Sequence, residues 1–229
     1  MSSFFRSSLL LAASAAMLTL SGCGSLGGNT KEKLAYIERP AELIYNQGFE
    51  QMEQGDWSDA RLLFQEVERQ HPFSKWARRA MLMSAYAAYR SADYEESVAT
   101  SQRFISLHPG NESTPYAYYL IAINYYDQIY DVGRDQATTV SAENALQQVV
   151  RRYPESDYAK RSNNHLNELR ARLEVKSFEN AELFYNLGRY KAAVIALENF
   201  QKDFPDAPQL PEAAFLRFKS EYDLARNSV

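Results

Sequence analysis

From residue 40 onward, apolar side chains recur at intervals of three and four, the spacing that gathers them on one face of an α-helix. Ala60, Leu63, Phe64 and Val67 follow this rule, and so do Ala142, Ala145, Leu146, Val149 and Val150. Amphipathic stretches run up to four similar closures: Gln70-His71-Pro72, Leu107-His108-Pro109, Arg152-Tyr153-Pro154 and Asp203-Phe204-Pro205. Proline lacks an N–H and restricts the residue before it, so a helix has to stop there. Gly55-Asp56-Trp57 and Gly188-Arg189-Tyr190 supply turn residues followed by an aromatic that opens the next helix. The pattern predicts antiparallel helices joined by short turns.

The closing prolines are unevenly spaced, with 37 residues from Pro72 to Pro109, 45 to Pro154 and 51 to Pro205. Aligning Ala122 with Ala85 puts the first surplus after a helix at 116–126, so residues 127–140 are expected to form a loop projecting from one edge. The second surplus, 157–173, reads as helix continuing toward Tyr185. A last apolar helix is expected over 212–224 with no second helix after it. On this reading the sequence stops inside a fifth repeat, as a truncated chain or one without an orderly cap.

Small residues recur where paired helices would cross. Gly48, Ala60, Phe64, Val67 and Pro72 fall in order in the first unit; Ala85, Phe104 and Pro109 do so in the second, and Ala181, Ala193, Leu197, Phe200 and Pro205 in the fourth. These residues resemble the tetratricopeptide repeat, a helix–turn–helix of ~34 residues. The second unit departs from it, with Ser97 and Ser101 where alanine and a large apolar residue are usual, and the early tryptophan and leucine are missing throughout. The expected fold is all-α, a solenoid of about four to five helical hairpins. Its repeats lie near 41–74, 75–110, 115–155 and 157–206, with a partial one at 210–229.

The N-terminus has a different character. Arg6 precedes an uncharged apolar run at residues 9–20, too short for a mature membrane span, which needs ~20 residues, but right for a signal-peptide core. It ends in Leu20-Ser21-Gly22-Cys23, which resembles the bacterial lipobox. The expected organisation is a signal peptide at 1–22, a lipidated N-terminus and flexible tether at 23–39, and the solenoid at 40–229. Lipidation is expected at Cys23, the single cysteine, with N-acyl and S-diacylglycerol groups and no other cofactor. Gly24 follows, not the aspartate of an inner-membrane retention signal, so the outer membrane, periplasmic face, is the expected location.

Removing Arg6 with the signal takes the formal charge from -4 to -5, which argues against nucleic acid, whose binders carry basic faces. Enzyme signatures are lacking: the chain shows no nucleophile elbow, no phosphate-cradling glycine loop and no free thiol. His71 and His108 precede prolines at helix ends, where imidazolium complements the helix dipole. His165 stands three residues before Glu168, but no second ligand cluster accompanies it. No metal site and no catalytic residue are expected.

Taken in order, the lipobox, the tether, the unequal repeats and the enlarged third hairpin resemble the ComL family of lipoproteins, subunits of the β-barrel assembly machinery. The stretches YPESDYAKRSNNHLNELRARL and GRYKAAVIALENFQKDFPD carry much of that likeness. The resemblance implies a non-catalytic scaffold that binds the barrel-forming subunit BamA, accessory lipoproteins and unfolded outer-membrane proteins. It also implies that the C-terminal repeats, from residue 127 onward, meet the barrel subunit. An alternative is another envelope scaffold of the same repeats, serving cell-wall synthesis or division. The inward positions of the first three repeats are rich in tyrosine and hold two arginines, so Tyr45, Phe49, Arg79, Tyr86, Tyr89, Arg90, Tyr119 and Tyr126 are the candidate substrate-binding residues. Rings would hold aromatic side chains, and Arg79 or Arg90 a terminal carboxylate. The competing reading is that these tyrosines pack between helices.

Overall fold

The computed structural model describes residues 39–134 and 136–226, which contain nine helices and no strand. They pair in sequence as hairpins: α1 (Ala41–Gln54) with α2 (Trp57–Gln70), α3 (Lys75–Arg90) with α4 (Tyr94–Leu107), α5 (Thr114–Asp127) with α6 (Gln136–Arg152), and α7 (Asp157–Asn186) with α8 (Tyr190–Asp203). α9 (Leu210–Arg226) follows. The odd-numbered helices also touch one another in series, α1 to α3, α3 to α5, α5 to α7 and α7 to α9, and so form one layer. The all-α solenoid of helical hairpins expected from the repeats is what the chain forms.

Local chemistry explains the breaks. His71, His108 and Phe204, each before a proline, leave the helical region at φ −134°, −135° and −127°, as the clash with the proline ring requires. Ser74 and Ser156, two residues beyond Pro72 and Pro154, then cap the next helix, accepting the Ala77 and Ala159 N–H at 3.0 and 3.1 Å. Such a bond satisfies an otherwise orphaned donor and contributes about 1 kcal/mol. Within hairpins the chain reverses through left-handed residues, Gly55 at φ 84° and Gly188 at φ 68°. The second hairpin reverses at Ala92 with φ 60°, where an L-residue costs ~1–2 kcal/mol. No glycine marked that turn in the sequence.

The small residues lie where the helices cross. Ala60, Ala85, Ala181 and Ala193 have no exposed surface, and a Cβ on Gly48 would stand 2.9 Å from Phe64 Cε1. In the second unit, Ser97 and Ser101 are fully buried. Ser97 Oγ accepts a hydrogen bond from Asn124 Nδ2 of the next hairpin at 2.9 Å, so a polar contact replaces the usual apolar one. Ala193→Leu should therefore lower stability by about 1–3 kcal/mol through overpacking, whereas Glu198→Gln on the exposed side of α8 should change little. Thermal melts of the two variants compare them; equal midpoints would remove the crossing assigned to Ala193.

α7 runs for 30 residues without a break. Leu169 belongs to a core cluster with Leu120, Ile123, Leu146 and Val149, and Phe178 and Ala181 to another with Ala193, Leu197 and Phe200. One helix thus serves two neighbouring cores.

The expected projecting loop at 127–140 needs correction. α5 extends to Asp127 and α6 begins at Gln136. Ile129 and Val132 between them are buried in the same core as Leu169. Arg172 Nη2 donates to the Ile129 carbonyl at 3.4 Å, and Lys176 pairs with Asp131 at 3.6 Å. The segment folds back onto α7 because it carries its own apolar side chains, leaving Tyr130 88% exposed.

Candidate functional site

The candidate residues lie on α1, α3 and α5, in the layer of odd-numbered helices, and fall into three groups. The first surrounds a cleft of ≈ 290 Å³ whose lining includes Tyr45, Arg79, Leu82, Phe104 and Tyr116. The Tyr45 ring is held 5.4 Å from Phe64 and 4.9 Å from Trp76. Burial raises the phenol pKa of both Tyr45 and Tyr116, so both rings stay neutral and present a hydroxyl. Arg79 is exposed, 5.7 Å from the Trp76 ring centre, and among the described residues it has no carboxylate partner within ion-pair distance. Phe49, 44% exposed, lies further along α1.

The second group joins the first two hairpins. Arg90 stacks 4.2 Å over Trp57 and donates from Nη1 to the Tyr86 hydroxyl at 2.9 Å. Trp57 meets Tyr86 edge-on at 6.2 Å, and Tyr89 lies 6.3 Å from both Tyr86 and Tyr94. The Tyr89 hydroxyl donates to Asp127 Oδ2 at 2.5 Å; burial first and this carboxylate second raise its pKa. Arg90 is therefore already engaged as a clamp between hairpins, a role its exposed guanidinium did not suggest.

The third group is mostly packing. Tyr126 is 9% exposed within the first core cluster. Burial, with the Glu168 carboxylate adding to it, pushes its phenol up to about 12. Its placement among groove residues gives way to a core position, since α7 covers this face of α5. Tyr119 stays half-buried, 5.5 Å from Tyr158, with its hydroxyl 3.3 Å from His165 Nε2.

Reasoning from sequence missed Trp57, Trp76, Tyr94, Tyr158 and His165 as members of this aromatic surface. The last two were accessible in principle: the start of α7 occupies the place of a first helix after the third hairpin. The fourth unit is instead matched from Ala181, in the second half of that helix. His165 sits among rings, 4.5 Å from Tyr126, and no group of three or more potential metal ligands occurs among the described residues. Cys23 lies outside those residues. Among them, no helix is long and apolar enough to cross a membrane.

A family model described as outer membrane lipoprotein, YfiO, matches residues 37–228. The outer membrane protein assembly factor BamD of Caulobacter vibrioides is 42% identical over 187 residues, covering 79% of this chain and 61% of the relative. Its counterpart in Rickettsia prowazekii is 35% identical over 142 residues, covering 62% and 55%. That of Xylella fastidiosa (strain Temecula1) is 28% identical over 214 residues, covering 87% and 70%. The chain thus spans 61% and 55% of the length of the first two relatives. A thermophilic TPR protein of known structure from Thermus thermophilus aligns with 81% of this chain and all of its own at 15% identity, with a TM-score of 0.42, too low to bear on function.

Proposed function

This chain belongs to the YfiO family of outer membrane lipoproteins, and from that premise we propose that it is a non-catalytic, lipid-anchored scaffold for assembling outer-membrane β-barrel proteins. Cys23 carries the acyl chains. The layer of odd-numbered helices takes extended, aromatic-containing segments of unfolded barrel proteins, and the C-terminal repeats meet the barrel-forming subunit and its accessory lipoproteins. The relatives named above are outer membrane protein assembly factors.

One observation carries the substrate reading: Arg79, with no carboxylate within ion-pair distance among the described residues, stands at a cleft where Tyr45, Leu82, Met83, Phe104 and Tyr116 meet Lys75, Arg78 and Glu112. A guanidinium grips a carboxylate with two parallel hydrogen bonds, and neighbouring rings hold an aromatic side chain. This fits a peptide ending in an aromatic residue with a free carboxylate. Arg79 is the better candidate for that role, because Arg90 is stacked and bonded within the fold.

Arg79→Ala should weaken binding of a peptide ending in phenylalanine roughly tenfold or more, the worth of one charge-assisted hydrogen bond. The same peptide with an amidated C-terminus should bind wild type no better than the free acid binds the variant. Fluorescence anisotropy with both peptides measures this, and equal affinity for acid and amide in wild type would remove Arg79 from the site. For the scaffold reading, affinity purification from detergent-solubilised membranes should recover a large barrel protein with periplasmic domains. Recovery of wall synthases in its place would favour the cell-wall alternative.

A further inference from the structure

We infer that the turn edge around Phe73 is a second, peripheral membrane contact that rests on an anionic lipid surface; this builds on the lipid-anchored reading of Cys23. The chain enters the helical array at this edge. Arg39 N–H donates to Gln70 Oε1 at 3.0 Å, and the Arg39 carbonyl is 2.6 Å from His71 Nε2. The path back to Cys23 therefore starts two residues from Phe73 along the turn. Pro40 follows Cys23 by 17 positions, a length of chain that spans at most about 55–60 Å. Once the acyl chains are inserted, a tether holds the surface nearest its attachment at the highest effective concentration against the bilayer.

The chemistry of the edge suits that surface. Phe73 is 97% exposed at the tip of the turn. A single exposed ring needs no explanation, but this one is followed by Lys75, Arg78 and Arg79, all exposed and none in an ion pair among the described residues. They stand in the opening turns of α3, whose first turn holds no acidic residue. Cations there oppose the helix dipole, and an anionic surface outside the chain would relieve that repulsion. All three cations line the cleft that holds Tyr45 and Tyr116, together with one carboxylate, Glu112. Half-buried Trp76 lies between Lys75 and Arg79, 5.5 and 5.7 Å from them. Aromatic rings with long cationic side chains form the composition of membrane-interface segments. The opposite turn edge, a helix length away, carries Asp56 and Asp59 in the first hairpin. Within the first hairpin this polarity, offset in part by Arg90 over Trp57, favours the Phe73 edge over the other at an anionic leaflet.

The test uses the chain from residue 23 with Cys23→Ser, which lacks both the acyl chains and the apolar 9–20 run, and vesicle flotation at low ionic strength. It should float with vesicles of phosphatidylethanolamine and phosphatidylglycerol and not with phosphatidylcholine alone, and salt should release it. Removing Lys75 and Arg78 as glutamines should lower partitioning about fivefold per cation, and Phe73→Ser should lower it further. Lys75 and Arg78 also line the peptide cleft with Arg79, so Phe73→Ser, which leaves all three cations in place, is the variant in which peptide binding should stay unchanged while vesicle binding falls. Flotation independent of lipid charge, or undiminished in the variants, overturns the inference. Loss of peptide binding with vesicle binding intact assigns the edge to unfolded protein and overturns it as well. Phe73→Ser alone, at a side chain open to solvent, serves if the combined variant melts early. Mass spectrometry of the native Cys23 peptide reports acylation separately, so failure of the anchor and failure of the edge are distinguishable.

Discussion

Replacing Cys23 by serine is expected to remove the protein from the outer-membrane fraction, leaving it as a folded soluble periplasmic protein or, where the signal is not cut, as a precursor held by its apolar 9–20 run. Burial of each acyl CH₂ contributes ~0.8 kcal/mol, and stable anchoring takes more than one chain. Losing the thiol removes all the acyl chains that cleavage and modification would add. No helix among the described residues can replace them. The basic edge near Phe73 supplies about 1 kcal/mol per cation at an anionic surface, a contribution that salt screens, so it does not survive a salt wash. Fractionation should be done in cells depleted of the partner proteins, since a bound partner would itself retain the chain. If the serine variant still sediments with outer membrane there, the anchor lies elsewhere in the chain.

The largest effect on stability is expected for Phe200→Ala. Phe200 is fully buried, with ring centres 5.4 Å from Phe178 and 5.6 Å from Phe204, and removing such a ring costs about 3–5 kcal/mol. Where that loss appears matters more than its size. In a solenoid each unit is stabilised chiefly by its neighbours, and Phe200 belongs to the core formed by the second half of α7 with α8 and α9. Hydrogen exchange should show amides of α8 and α9 losing protection while those of α1 to α4 keep theirs. Equal loss at both ends would mean that the chain unfolds as one cooperative body, with α7 coupling the two cores tightly. Either outcome is read from a single exchange experiment on wild type and variant.

Helices, their breaks and their crossing points were determined by local information. A proline after an amphipathic stretch stops a helix wherever the chain goes next, and Gly48 or Ala60 at a crossing registers a steric limit that a sequence displays directly. The same holds for the hairpin architecture, because short turns leave consecutive helices no other way to bury their apolar faces. The resemblance to a lipobox at residues 20–23 is a local signal too, and lies outside the described residues.

Tertiary structure alone decided which aromatic rings remain available. Tyr86, Tyr119 and Tyr126 look alike along the chain, yet Tyr126 is in the core and Tyr119 half-covered because α7 continues past its own hairpin and lies on α5. Arg79 and Arg90 occupy one helix and similar exposure. They differ because Trp57, from another hairpin, stacks on Arg90, while Arg79 faces a cleft. The segment after Asp127 read as a projecting loop because the repeat spacing leaves surplus residues there when Ala122 is aligned with Ala85. It packs inward because two of its side chains, Ile129 and Val132, find apolar surface on a helix some forty residues away. Periodicity reports which face of a helix is apolar. Which neighbour covers that face depends on contacts distant in sequence, and no local pattern encodes them.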